Sequence, residues 1–367
     1  MKNVKSIVAF LTFFIALISI PCGAMDKEKE VKKKDKSKVN ISLSIPNYRV
    51  SSFNLGLFSD FPQLKGVGMN VFTGTVRERM YGLMLSGGCS FTRGETEGVL
   101  VSGISNITGG DFNGLSVTGV MNMSTSRMRG GQLSGMMNVN SEHFTGFQLS
   151  GVSNVGVDLE GLQLSAILNV TQNRMKGVQI GCCNYASEVR GVQFGLLNLC
   201  GGEVKGVQIG IINHSKDTTA HKYGLVNITP NTRVQYMLFG GNVSKSNMAV
   251  RFKNNWSYTM LGVGTHYLDL SRKFSGCIFY RFGLYYPFAK RWEVSGDLGY
   301  FHVENFKNAD AVTPECMYSL QARINLEFRL HKKVGIFASG GYGTTRYYNK
   351  NKCFERKPIG ELGLVFF

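Results

Sequence analysis

The residues of this chain that could do chemistry are either scattered or repeated, and the repeated ones are amides. Six histidines, His143, His214, His221, His266, His302 and His331, stand far apart in the sequence. None belongs to an HExxH pair, and the chain has no GxSxG elbow and no P-loop. A histidine in a membrane strand, His302 first, could serve a lipid hydrolase, but an interface or lumen position accounts for it without chemistry. Asp111, Asp158 and Glu160 lack calcium-loop spacing. No two cysteines show CxxC spacing, so Cys182, Cys183 and Cys200 read as small buried hydrophobes. The sequence therefore predicts no catalytic, cofactor-binding or metal-binding residue, no cofactor, and a chain that is not an enzyme.

The amides are a different matter. The segment Gly-Val-Gln-Ile-Gly-x-x-Asn, or a near variant, opens at Gly82, Gly98, Gly114, Gly130, Gly146, Gly161, Gly177, Gly191 and Gly206. The closing asparagines are Asn106, Asn122, Asn138, Asn154, Asn169, Asn184, Asn198 and Asn213. Steps between opening glycines are 16, 16, 16, 16, 15, 16, 14 and 15 residues. A near-constant period means that each copy is one structural unit set against the next.

The elements that must position these amides are short strands. Apolar residues fall one and three places after the opening glycine, as in Val178 and Ile180, and two places before it, as in Met128, Phe144 and Met175. Alternation lasts only a few residues before Gly, Ser or Asn interrupts it, which suits two short strands with small corners. One copy then makes one coil of a β-solenoid, and stacked coils bring equivalent residues about 4.8 Å apart. The asparagines form a ladder at a corner, and the glutamines a second ladder on an outer face. The rival is one longer strand per copy in an antiparallel meander. Against it, Asn moves from eight places after Gly to seven in the late copies, which would swap its face in a two-faced strand.

The chain opens with Lys2 and Lys5, an apolar run from Ile7 to Ile20, and small residues up to Ala24. This pattern predicts a secretory signal over 1–24, and Asp26 to Lys38 then reads as a charged, disordered linker within 25–39. Formal charge is +17, or +15 without the two leading lysines. A basic exported protein could meet acidic lipid head groups, acidic glycans or a surface partner; with no basic stripe carrying interleaved aromatics, nucleic acid is not expected. Residues 40–81 read as a cap or first degenerate coils, 82–230 as the solenoid, and 231–367 as a second domain. Oligomeric state is not legible.

That second domain alternates strictly. Tyr318, Leu320, Ala322, Ile324, Leu326, Phe328 and Leu330 make an apolar face, with polar residues between them. Similar strands read at 234–243, 247–254, 258–268, 276–286, 292–303, 334–347 and 360–367. Eight strands of this length, with aromatics such as Trp292, Tyr300 and Tyr347 near their ends, predict an antiparallel outer-membrane-type β-barrel. Arg281, Glu293, Asp297, Arg323, Glu327 and Arg329 should then point into the lumen as a hydrogen-bonded charge network. Cys316 and Cys353 fall in loops on one side of such a barrel, where a disulfide between them is expected.

The motifs GFQLSGVSN at Gly146 to Asn154 and GVQIGIIN at Gly206 to Asn213 resemble the surface-repeat-containing proteins of Gram-negative bacteria. The resemblance covers roughly residues 60 to 230, more loosely the C-terminal region, and brings no catalytic residues. It implies an exported envelope protein at the outer membrane, and its name implies surface exposure. Strand counting, with both barrel termini on the periplasmic side, implies the opposite side for the repeats. Three functional expectations follow. The first is a non-enzymatic outer-membrane protein whose barrel anchors a solenoid with a structural or binding role. The second is a channel or transporter in which repeats and C-terminal strands form one larger barrel. The third is an envelope lipid-modifying enzyme.

Overall fold

The computed structural model describes residues 40–42, 50–269, 273–308, 315–348 and 353–367. The signal and linker segments expected over 1–39 lie outside these residues. Two all-β bodies follow one another: a parallel β-solenoid of about ten turns and a closed antiparallel barrel of eight strands.

Each solenoid turn pairs in parallel with the turns before and after it, glycine on glycine and asparagine on asparagine. Gly98 faces Gly114, Gly114 faces Gly130, and Gly191 faces Gly206. The opening glycine is a steric requirement. At Gly146 φ is +134°, and a Cβ there would lie 1.9 Å from the carbonyl oxygen of Gly130 one turn below. Only glycine accepts both the dihedral and the approach. Gly66 has the same geometry, with φ of +140°. Regular stacking therefore starts inside the segment read as a cap: Asn54 donates to Asn70 across one turn at 3.2 Å.

The interior of the coil is mostly polar. One apolar column runs through it, two places before each glycine: Phe112, Met128, Phe144, Leu159, Met175, Val189 and Val204. The other inward columns carry mostly Ser, Thr, Gln and Asn, with Val76, Met84, Leu100, Ala186 and Cys200 among them, and include fully buried Gln148, Gln163, Gln179, Gln193 and Gln208. The outer-face position expected for the glutamines is thus corrected. Alternation through the glycine puts the residue two places after it on the inside, and Val178 and Ile180, its neighbours, on the outside. The late one-residue shortening is absorbed at the corner around Gly181, where a side chain would meet the Asn169 amide. Asn169 still donates to Asn184 at 2.9 Å.

The barrel strands are β1 (Arg233–Gly241), β2 (Ser246–Lys253), β3 (Ser257–Thr265), β4 (Lys273–Pro287), β5 (Trp292–Asn308), β6 (Cys316–Arg329), β7 (Val334–Tyr347) and β8 (Cys353–Phe366). Each pairs antiparallel with the next, and β1 closes the ring on β8 from Tyr236↔Phe366 to Gly241↔Glu361. The repeats and the barrel form separate sheets, which overturns the single larger barrel and, with it, the antiparallel meander. The reason is local: the repeats pair one period apart in parallel, and a parallel ladder cannot continue a hairpin barrel without a crossover.

Three tight connections, β2–β3, β4–β5 and β6–β7, lie at one rim together with the start of β1 and the end of β8. The solenoid joins at that rim. Asn254, in the β2–β3 turn, donates to the Asn227 carbonyl at 3.2 Å and accepts from Thr232 at 2.6 Å. β8 begins at Cys353, earlier than the alternation at 360 suggested. Its first residues, Cys-Phe-Glu-Arg-Lys, lack an apolar face, and the strand is recognisable there only by pairing, as in Glu355↔Thr345.

Candidate functional site

Three arrangements collect the residues with chemical potential: two amide ladders in the solenoid and a charged network in the barrel lumen. In the first ladder each asparagine amide donates to the asparagine of the next turn. The distances are 3.4 Å for Asn106 to Asn122, 2.8 Å for Asn122 to Asn138, 2.9 Å for Asn138 to Asn154 and 3.0 Å for Asn154 to Asn169. It continues through Asn184, Asn198 and Asn213 to Asn227. The second proton of each amide caps a corner carbonyl, as from Asn138 to Leu149 O at 2.8 Å. These asparagines are buried, so each bond replaces one with water that folding removes.

The glutamine ladder runs the other way. Gln148 donates to Gln132, Gln163 to Gln148, Gln179 to Gln163, Gln193 to Gln179 and Gln208 to Gln193, at 2.7 to 2.8 Å. Its carbonyl end is Gln208 Oε1, which is buried and accepts no hydrogen bond. The residue stacked on Gln208 in the last turn is Lys222. Its ammonium donates to Ile228 O at 2.7 Å, and burial lowers its pKa to about 8. A cation therefore occupies the step where the aligned amide dipoles end in oxygen, as lysines do at helix C-termini.

In the barrel, Arg281 grips Asp297 through two bonds of 2.9 and 2.7 Å and reaches Glu361 at 3.2 Å and Asn325 at 3.1 Å. Arg323 donates to Glu361 at 3.0 Å. Tyr258 and Asn325 each donate to Asp297 at 2.8 Å. Nearer the short-turn rim, Arg251 pairs with Glu327 at 2.6 Å, and Lys253 pairs with Glu293. Four cations thus face four carboxylates, Asp297, Glu361, Glu327 and Glu293, and the charges of these pairs balance. Arg329 lies at the rim with its guanidinium 4.4 Å from the Phe367 ring centre. Toward the other rim the lumen is filled by Met260, Cys277, Phe279, Phe301, Val303 and Met317.

Sequence reasoning missed Arg251, Lys253, Tyr258 and Glu361. The signal was present: Asn247, Ala249, Arg251 and Lys253 alternate with outward residues, as do Ile359, Glu361 and Val365. The expected Cys316–Cys353 disulfide is absent, and both thiols are free. Cys316 is on β6 and Cys353 on β8, with β7 paired between them, so they lie two strand spacings apart, roughly 9–10 Å. That exceeds the ~7 Å Cα separation a disulfide spans.

His302 faces outward and bonds the Tyr348 hydroxyl at 2.8 Å, with no nucleophile or carboxylate in that contact. Among the described residues no three His, Cys, Asp or Glu side chains are grouped to hold a metal ion.

No family model matches this chain, and no curated protein does. Among solved structures the chain is similar to Neisserial surface protein A, at 11% identity and a TM-score of 0.22, over 36% of this chain and 90% of that one. A likeness at that score carries no argument, and the reading below rests on the geometry.

Proposed function

We propose that this is a non-enzymatic outer-membrane protein in which the barrel is a plugged anchor and the solenoid is the working part, with a structural or binding role. The observation that supports it best is the lumen. Paired charges and packed aromatics occupy the interior along its length, as an eight-stranded ring allows. The outside of the barrel is apolar: Leu298, Ile324 and Leu362 are 68–70% exposed, as lipid-facing residues must be. Tyr286 and Trp292 at the short-turn rim, and Tyr300 and Tyr348 toward the other, suit the two interfaces.

Outer-membrane barrels keep short turns on the periplasmic side. The solenoid stands at the short-turn rim, so this reading puts it in the periplasm, against the surface exposure that the repeat resemblance implies. The test is conductance. The purified chain in a planar bilayer should give no steady pore, and a stable open current would overturn the plugged anchor.

A further inference from the structure

We infer that the apolar outer face of the solenoid docks on a lipid surface, an inference that rests on the membrane-anchored reading of the barrel. The face is made by the residues one, three and six places after each opening glycine, the corner residue standing five places after it in the shortened late copies. Its corner row is Phe72, Ile104, Val120, Met136, Val152, Ile167, Leu196 and Ile211, all 37–55% exposed. Beside it Phe147, Leu164, Phe194 and Ile209 are also exposed. The opposite edge, one and three places before the glycine, is charged and paired across turns: Arg127 with Asp111, Lys176 with Glu160, Arg174 with Glu188.

A solenoid in water places its aliphatic residues inside and its amides at the surface. Here Gln and Asn ladders share the interior with one apolar column, while further Val, Ile, Leu, Met and Phe line an outer face. Hydrogen-bonded polar groups inside and aliphatics outside is the order that a hydrocarbon neighbour selects. The charged end of these strands needs water, so their outer surface runs from solvent at that end to lipid at the corner row, as in an amphipathic helix lying in an interface.

Position favours the same occupant. Only residues 229–232 separate the last solenoid strand, Val226–Ile228, from β1, and hydrogen bonds through Asn254 fix the junction. The solenoid is therefore held at the barrel rim. The end of the face nearest that rim has a shallow groove of about 500 Å³, lined by Ile180, Cys182, Phe194, Leu196, Ile209 and Ile211.

The test uses the full chain in vesicles, with Trp256 and Trp292 replaced by Phe and one tryptophan restored. Met136→Trp puts it on the apolar face, Arg129→Trp on the charged edge, and Leu320→Trp on the barrel wall. Brominated phospholipids should quench the tryptophans at 136 and 320 at least about twofold more than that at 129, because bromine quenches only probes within the acyl region. Quenching at 320 alone, with acrylamide reaching 136 and 129 equally, would overturn the lipid contact and leave the barrel reading standing. No bromine quenching at 320 would sink the barrel reading itself. A blue-shifted tryptophan at 136 without bromine quenching would give the face to a second copy and also overturn the proposal.

Discussion

At the residue scale, the solenoid depends on single atoms repeated with little tolerance. Asn154 accepts from Asn138 at 2.9 Å and donates to Asn169 at 3.0 Å and to Leu164 O at 2.8 Å. Leucine has the same branched shape, a larger volume and none of these bonds. Asn154→Leu leaves two buried acceptors, Asn169 Oδ1 and Leu164 O, without this donor. At about 1–3 kcal/mol for each unsatisfied group, the turn should lose roughly 2–5 kcal/mol. Amide hydrogen exchange should show the loss as faster opening of the turns on either side of residue 154. Unchanged protection there would mean that the ladder contributes no stability. Exposed pairs such as Lys176 with Glu160 should behave differently, since surface ion pairs contribute little and Lys176→Ala should leave exchange unchanged.

At the element scale, the barrel network predicts a non-additive pair of variants. Arg281→Met leaves Asp297 without its two-bond partner and Glu361 with Arg323 alone, and should cost about 3–5 kcal/mol. Arg281→Met combined with Asp297→Leu removes the uncompensated charge and should recover much of that. The temperature at which the folded barrel loses its fast gel migration reads both, and equal losses would contradict the coupling. The last solenoid turn predicts a pH effect. Lys222 titrates at about 8 in the folded chain and near 10.4 when unfolded. Between those values the unfolded chain binds the proton that the folded chain has released, so stability rises with pH. After discounting for partial exposure the gain is about 1–2 kcal/mol between pH 8 and 10. Lys222→Gln should abolish that rise and, by donating to the orphaned Gln208 Oε1, should extend the ladder. A variant whose thermal stability climbs as much as that of wild type over that pH range would refute the assignment.

These elements also show which features the sequence carries. Period and closing asparagine define the coil, because the steric demand at Gly146 and the bonding demand at Asn154 recur from turn to turn, with Ser90 the exception in the asparagine position. Strict alternation defines β6, because its two faces meet opposite environments. The direction in which the solenoid faces was hidden. Val178, Gln179 and Ile180 alternate, and apolar residues read as interior unless the surroundings are known to be apolar too. Alternation marked Glu361 as inward, but its partners were not legible, because only closure of the ring brings it to Arg281 and Arg323.

At the scale of the whole molecule, the proposed function fixes a placement: a plugged barrel in the outer membrane, its long-loop rim outward, and the solenoid on the periplasmic side with its charged edge in water. Cys353 is exposed at the long-loop end of β8. Arg129 is exposed on the charged edge of the solenoid, away from the face assigned to lipid. The most direct test is a membrane-impermeant maleimide applied to Gram-negative cells making the Arg129→Cys variant, followed by peptide mapping. Cys353 should be labelled on intact cells, and the cysteine at 129 only after the outer membrane is permeabilised. Labelling at 129 on intact cells, with Cys353 reached only after permeabilisation, would contradict the account by inverting the molecule in the membrane.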